Sequence, residues 1–435
     1  MPTTLNRAAS TSLLYFFVLG DILGAGVYVL VGSVAAEVGG AVWLPLITAL
    51  CLAALTAAGY VELVTKYPRA GGSAHYATRA FGPAAGSLVG FCMVAGGVVS
   101  VGALARAFAG DYLDALVHLP TVPVVVVFLA ALAALNLSGV KESLRANVIA
   151  TVIEVGGLLL VIGLGAWVVL RGDADPSRLT QVDGGGGAVN AVLAGTVLAY
   201  YSFVGFETSV NLAEEVRDPR RSYPRALFGA LATAGVVYLL IGLVTSAVVP
   251  TDRLAASDGP LLEVVSAAGG VPQWLFGVIA LVAVANGALL TGIMSSRLAY
   301  GMAGDGLLPA ALTRVLPGRR TPWVAILVTS AASLVLALTG DVAVLAETLV
   351  LLLLVVFTAV NAAVLVLRKD EGAADHFRVP VVVPWLALAS CLVLFTRVDG
   401  EVWLRGLVMI ALGAALAAAN HLRRRRHREH AHRAG

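Results

Sequence analysis

Long apolar runs alternate with short polar connections along the whole chain. About 20 consecutive apolar residues cross a bilayer as a helix. Twelve candidate spans can be marked on that basis, roughly 12–36, 41–64, 85–109, 122–138, 146–170, 188–211, 225–249, 273–296, 322–340, 342–367, 380–397 and 402–421. The ninth and tenth nearly merge, and the turn chemistry of Gly340-Asp341 predicts their boundary. The first run lacks a small-residue cleavage pattern with a mature domain behind it, so it is expected to be a span and not a cleaved signal.

Two spans break their own pattern. Span 1 reads LLYFFVLGDILGAGVYVLVGSVAA, with Asp21 and the Gly24-Ala25-Gly26 triplet at its middle. Span 6 contains AYYSFVGFETSVNLAEEV, with Gly205 among Ser202, Glu207 and Thr208. Both predict a helix, a Gly-containing polar break near the midplane, and a helix again. The breaks lie five spans apart, the offset that an inverted repeat of five plus five helices produces, and paired discontinuous helices point to a transporter's binding site. Unwinding frees backbone groups that lipid cannot satisfy, so they must face protein or a cavity. Freed N–H groups at the start of the outer half of span 1 suit a carboxylate. Freed carbonyls in span 6 suit an ammonium. Together they would cradle a free amino acid. Alone, the GAG triplet would read equally as a close helix–helix contact.

Composition agrees with the pattern. Of 435 residues, 59% are hydrophobic and 13% charged, with mean hydropathy +0.90, far from the soluble globular average. Cys51, Cys92 and Cys391 are scattered through apolar runs and form neither a disulfide framework nor a metal spacing. Charge distribution sets orientation. With the N-terminus inside, 23 of the 29 Lys and Arg residues fall on cytoplasmic segments and five on outer ones, with Arg106 near the outer end of span 3. That asymmetry places both termini in the cytoplasm. The tail RRRRHREHAHRAG needs only solvent or anionic headgroups. DGGGG at 183–187 reads as a flexible outer loop. The longest connections, SSRLAYGMAGDGLLPAALTRVLPGRRTP inside and PTDRLAASDGPLLEVVSAAGGVPQ outside, are too short for a soluble domain.

Five acids lie in or at the ends of apolar runs: Asp21, Glu62, Glu154, Glu207 and Glu347. Glu62 is near the cytoplasmic end of span 2 and is expected to reach water. Glu347 could face an outer vestibule. Asp21 and Glu154 lie about 14 Å and about 12 Å into their spans at 1.5 Å per residue. An ionised carboxylate there costs at least about 2.5 kcal/mol and must face a cavity or a partner. Asp21, Glu154 and Glu207 are therefore candidates for moving a proton or cation, against the alternative of neutral acids hydrogen-bonded between helices.

These residues resemble the amino acid–polyamine–organocation permeases, especially the branch of cationic amino acid transporters and their bacterial relatives. Six stretches carry the likeness in order: LGDILGAGVYVLVG, KYPRAGGSAHYATRAFG, SGVKESLRANVIATVIE, SFVGFETSVNLAEEVRDPRRSYPRAL, SSRLAYGMAGDGLLPAALTRV with RRTP, and VLVLRKDEGAADHFRVP. The resemblance implies an all-α membrane protein of twelve helices in one transporter domain over 1–435. A first five-helix repeat would occupy 12–170 and its inverted partner 188–367, in the leucine-transporter manner with helices 1 and 6 broken. Two extra helices would follow at 380–421, then a basic cytoplasmic tail at 422–435. It implies secondary transport of amino acids across the cytoplasmic membrane by alternating access, without a cofactor. At Ala25 and Gly26 the substrate carboxylate would meet backbone N–H groups, with Gly24 beside them in the substrate site. The Ile22 carbonyl and those of Tyr201, Ser202 and Val204, beside Gly205, would take the ammonium. Tyr201 would be the aromatic gate, and Glu207 matches the family acid that ends the GF(D/E) motif.

One departure stands out. Glu154 occupies the helix 5 position where proton-coupled relatives often carry Lys. A carboxylate cannot mimic a cation, but it can bind one, or carry a proton itself because an apolar surrounding disfavours its charge. The coupling ion is thus proton or sodium. Asp21 could contact a basic substrate side chain, assist a cation site with Glu154, or stay protonated. Asn286, Thr291 and Ser295 on span 8 face either the site or a neighbouring helix.

Other classes have less behind them. A membrane enzyme would need a nucleophile–base pair or metal ligands, and no HExxH, paired Asp or G-x-S-x-G motif occurs. A nutrient sensor on a permease fold and a polyamine or amine permease remain alternatives. The expected partners are a free amino acid, a coupling ion and the lipid bilayer, with no nucleic acid. Oligomeric state is not legible.

Overall fold

The computed structural model describes residues 10–433 other than 70, 139, 184–186, 318, 320 and 371–375, with backbone alone at 140–148, 417 and 419–433. Outside it lie Arg7 and Arg320 of the orientation count, most of the DGGGG loop, and the middle of the connection before span 11. The side chains of Lys141, Arg145 and the basic tail also lie outside. The described residues form helices and irregular connections, with no strand among them.

The first broken span is α1 (Thr11–Ile22) and α2 (Gly26–Val38), bent by 44° between them. Next come α3 (Trp43–Lys66), α4 (Gly72–Phe81), α5 (Pro83–Phe108), α6 (Asp111–Asp114), α7 (Thr121–Ser138) and α8 (Val140–Leu170). The second half has α9 (Ala188–Ser202), α10 (Pro219–Val248), α11 (Thr251–Ala255), α12 (Pro260–Ala268) and α13 (Gln273–Gly304). It ends with α14 (Trp323–Thr339), α15 (Val342–Leu367), α16 (Val382–Phe395) and α17 (Gly400–Arg433). Seven described helices are long and apolar enough to cross a membrane, or nine if each of two bent pairs counts as one span. The second bent pair, α16 with α17, turns by 115°. Helices α9 and α14 are apolar but shorter.

Local chemistry explains several boundaries. The Asp341 carboxylate accepts from the Val344 N–H at 2.8 Å, capping α15 and fixing the turn that separates it from α14. Pro219 opens α10 behind the Asp218 cap, where a missing N–H costs nothing. Helix α5 runs through the middle, packed against α13, α14, α15 and α17. Helix α1 packs on α10, α2 on α9, and α3 between α9 and α10. Large apolar side chains stay exposed on α7, α16 and α17, among them Val127, Trp385 and Val408, as a lipid-facing surface requires.

Three expectations are corrected. After its break, span 6 does not resume as an α-helix: a 3₁₀ turn at Ser209–Leu212 follows, then turns lead to α10. Glu207 and Thr208 bond to the backbone locally and hold those turns. The stretch from Ser295 to Gly304, expected as a loop, continues α13. Glu62 does not reach water. It is 1% exposed and forms a two-pronged pair with Arg368, at 2.7 and 2.6 Å, while the Val379 N–H donates to it at 2.9 Å. The partners are far away in sequence, so the reading from span position alone could not include them.

Candidate functional site

The first break begins where α1 runs out. The Leu23 N–H still reaches Leu19 O at 2.8 Å. The N–H groups of Gly24, Ala25 and Gly26 make no hydrogen bond among the described residues. They form the open start of α2, where the helix dipole is positive. The second break begins at the end of α9. Phe203 and Val204 N–H groups fold back to the carbonyls of Tyr200 and Tyr201, at 3.0 and 3.2 Å. Gly205 then takes φ +128°, which side-chain-bearing residues rarely adopt, and the Glu207 carboxylate accepts its N–H at 2.9 Å. No described group donates to the carbonyls of Ser202 or Val204.

The breaks press on each other. A Cβ on Gly205 would lie 2.9 Å from the Asp21 carbonyl oxygen, and one on Gly26 would lie 2.8 Å from Ser202 Cα. The Thr208 hydroxyl donates to the Asp21 carboxylate and also lies 2.8 Å from Gly205 O. A hydroxyl carries one proton, so it serves one acceptor at a time. Asp21 is therefore tied to the second break, not to Glu154.

Between the breaks is a cavity of about 130 Å³. Ile22, Gly24, Ala25, Gly26, Tyr201, Ser202, Val204 and Gly205 all line it, as do Asp21 and Glu207. Asn286, Thr291 and Ser295 of α13 line it too, which places all three toward the site. Among the described residues that line it, Asp21 and Glu207 are the only acids, and no Lys or Arg joins them. The Ile22 carbonyl already accepts from Tyr238 Oη at 2.5 Å, leaving it one further lone pair.

Glu154 is absent from the lining. It is fully buried and neither carboxyl oxygen has a hydrogen-bond partner. Its polar neighbour is Asn286, which does line the cavity, so Glu154 lies one side chain behind the wall. Tyr28 Oη donates to Glu154's own carbonyl at 2.6 Å. Glu347 lines neither this cavity nor the one described next.

Sequence reasoning missed Ser100 on α5. Its hydroxyl is 3.0 Å from Tyr201 Oη and fixes the ring over the cavity. The signal was present: Ser100 is a lone hydroxyl in the small-residue stretch AGGVVSVGALA. It also missed Asn211, which donates to Thr208 O at 3.0 Å. Asn211, Met294 and Leu298 line both the central cavity and a second cavity of about 520 Å³. The second opens beside α4 and the end of α13, where the basic residues gather.

A helical protein with spanning apolar helices, whose two helix breaks share one small cavity, belongs to the class of membrane transporters. More narrowly, the chain belongs to the amino acid permease family, which it matches over residues 10–418. It is 32% identical to an uncharacterized transporter of Mycobacterium tuberculosis over 94% of this chain and 90% of that protein. It is 31% identical to the vacuolar cationic amino acid transporter 4 of Arabidopsis thaliana over 80% of this chain and 61% of that one. It is 26% identical to the branched-chain amino acid permease BcaP of Bacillus subtilis over 92% and 89%.

Proposed function

We propose that this protein is a secondary active transporter that moves free amino acids across the cytoplasmic membrane by alternating access, as a proton-coupled carrier or an exchanger. The observation that carries the reading is the meeting of two helix breaks at one cavity. Open N–H groups at 24–26 stand on one side and unused carbonyls of Ser202 and Val204 on the other. A zwitterion needs both kinds of group in one place. The cavity's 130 Å³ falls well short of the roughly 300–1,000 Å³ of drug-sized sites, which suits a small metabolite. The names of the Arabidopsis and Bacillus relatives support the same substrate class.

In this reading twelve helices form the bundle, ten of them as a five-plus-five inverted repeat, with α16 and α17 added. The end bearing Lys66, Arg79, Arg297 and Arg368 faces the cytoplasm, because basic residues are retained on that side. Tyr201 gates the cavity with Ser100 positioning it. Glu154 is the coupling acid: it is buried with no counter-charge on its carboxyl group among the described residues, and its one polar side-chain neighbour, Asn286, lines the cavity. The carboxyl groups of Asp21 and Glu207 in the wall also favour a second reading, a carrier of polyamines or other amines.

Purified protein in liposomes, given a panel of radiolabelled amino acids and amines, tests both. Saturable uptake or exchange of an amino acid supports the first. Uptake confined to amines supports the second. Saturable binding without flux of any compound would leave the sensor reading in place of both.

A further inference from the structure

The cavity beside α4 and the end of α13 holds an arginine that the structure leaves unanswered. Arg297 lines this vestibule and is half-buried, yet it has no ion pair or hydrogen bond among the described residues. Arg368 and Arg79, at the same end of the bundle, are answered by Glu62 and Asp370. The other titratable groups on the vestibule wall are His75 on α4 and Asp305 just beyond α13. Neither is within ion-pair distance of Arg297.

We propose that the Arg297 vestibule is a second subsite, on the exit side, for the carboxylate of the transported amino acid. This rests on the transporter reading above. A guanidinium presents a planar fork of donors that matches a carboxylate and is more weakly hydrated than an ammonium. The vestibule adjoins the central cavity, with Asn211, Met294 and Leu298 lining both. One face of α13 therefore leads from Asn286 at the first site to Arg297 at the second. Eleven residues separate them, about 16 Å at 1.5 Å per residue, too far for one small amino acid to touch both. The substrate would leave the open N–H groups at 24–26 and be received by Arg297 before entering the cytosol. The described wall of the central cavity carries two carboxyl side chains and no basic one, so a substrate carboxylate meets a guanidinium only in the vestibule.

The test uses full-length protein in proteoliposomes, with L-lysine and L-leucine as probes and cadaverine and isoamylamine as their decarboxylated counterparts. KM is measured separately from the cytoplasmic and the outer face. Arg297→Gln is expected to raise the cytoplasmic KM roughly tenfold, the scale of losing one charge-assisted hydrogen-bonding partner, and to leave the outer KM within about twofold. Arg297→Lys, which keeps the charge and loses the fork, is expected to fall between. For the native protein, the amino acids should compete from the cytoplasmic face much better than the amines. Equal competition by amines at that face overturns the subsite, and it needs no variant to fold. Equal changes in both KM values also overturn it. So does an effect of Arg297→Gln seen with phosphatidylglycerol vesicles but not with phosphatidylcholine, which would give the guanidinium to lipid headgroups. If the native protein transports no amino acid, the parent reading fails. If it transports normally and Arg297→Gln changes nothing, only the subsite fails.

Discussion

The centre and the basic end of the bundle treat buried charge in opposite ways. At the basic end, Glu62 is buried with two prongs of Arg368 and the Val379 N–H on its carboxylate. Lys66 Nζ donates to the carbonyls of Leu367 and Asp370 at 2.6 and 2.9 Å, closing the open end of α15. At the centre, Glu154 is just as buried and has nothing on either oxygen. The N–H groups of Gly24, Ala25 and Gly26 stand open. Burial is the same in both places, so burial does not separate structure from function here. What differs is the partners on the two carboxylates, although Arg368 Nη1 at the basic end also lacks a hydrogen bond among the described residues. The answered carboxylate of Glu62 holds the fold, and the open N–H groups at 24–26, which line the cavity, are free for a ligand.

If that contrast is right, the largest loss of stability should come from the basic end. Glu62→Ala would leave Arg368 buried without a counter-charge, which typically costs about 3–5 kcal/mol. Thermal unfolding of the detergent-purified variant should show a large drop in midpoint. The double variant Glu62→Leu with Arg368→Met should recover much of it, because paired removal leaves no orphan charge. An unshifted midpoint for Glu62→Ala would erase the contrast.

The next effect belongs to the centre and should fall on transport more than on stability. Gly26→Ala sets a Cβ against Ser202 Cα at 2.8 Å, where backbone and not a flexible side chain must give way. Overpacking of this kind costs about 1–3 kcal/mol and pushes the two breaks apart. Uptake in liposomes should fall below detection while the protein still elutes as a folded species. Retained uptake would mean that the breaks need not touch.

Glu154→Gln sharpens the comparison from the other side. Glu62 has an ion pair to lose, whereas Glu154 has only the Asn286 side chain beside it, which an amide can also meet, so Glu154→Gln should change stability by less than about 1 kcal/mol. Its effect should appear in the pH profile of uptake, which should flatten, while equilibrium substrate binding changes little. An unaltered pH profile removes Glu154 from coupling.

How much of this was legible in the sequence follows the range of each signal. The breaks at 24–26 and 205 were legible because glycine beside polar or acidic residues in mid-span contradicts the apolar helix around it. The Gly340-Asp341 boundary was legible because a turn and a cap are chemistry of neighbours. Asp21 was visible as a misplaced charge, but its partner Thr208 is 187 residues away. Glu62 was misread for the same reason, since Arg368 is 306 residues away. The 3₁₀ ending of span 6 was hidden because its apolar pattern fits a helix as well. The helical extension of α13 was hidden because Ser, Arg and Gly resemble a loop until the vestibule gives one face something to line.

The smallest effect tests whether exposure, and not merely partnership, sets the scale at the basic end. Arg79 holds the Asp370 carboxylate at 2.9 and 2.7 Å, and Tyr67 Oη donates to the same oxygen at 2.9 Å. The Arg79 bonds, then that of Tyr67, hold the Asp370 carboxyl below its ordinary value of 3.8. A depressed folded-state value stabilises the protein above the unfolded value, and that contribution is lost as pH falls through the folded one. Both side chains are well exposed, at 42% and 36%, so solvent and salt screen the pair. Asp370→Asn should therefore lower the unfolding midpoint slightly at about pH 7, and the difference from the native protein should begin to shrink as pH falls below 3.8 and vanish only once pH is below the depressed folded-state value. Raising the salt concentration should shrink it at neutral pH. The Glu62 variant should keep its large deficit in the same salt, because a desolvated pair is screened far less. If salt removes both deficits alike, Glu62 and Arg368 are not sealed from solvent, and the basic end loses the property that sets it apart from the centre.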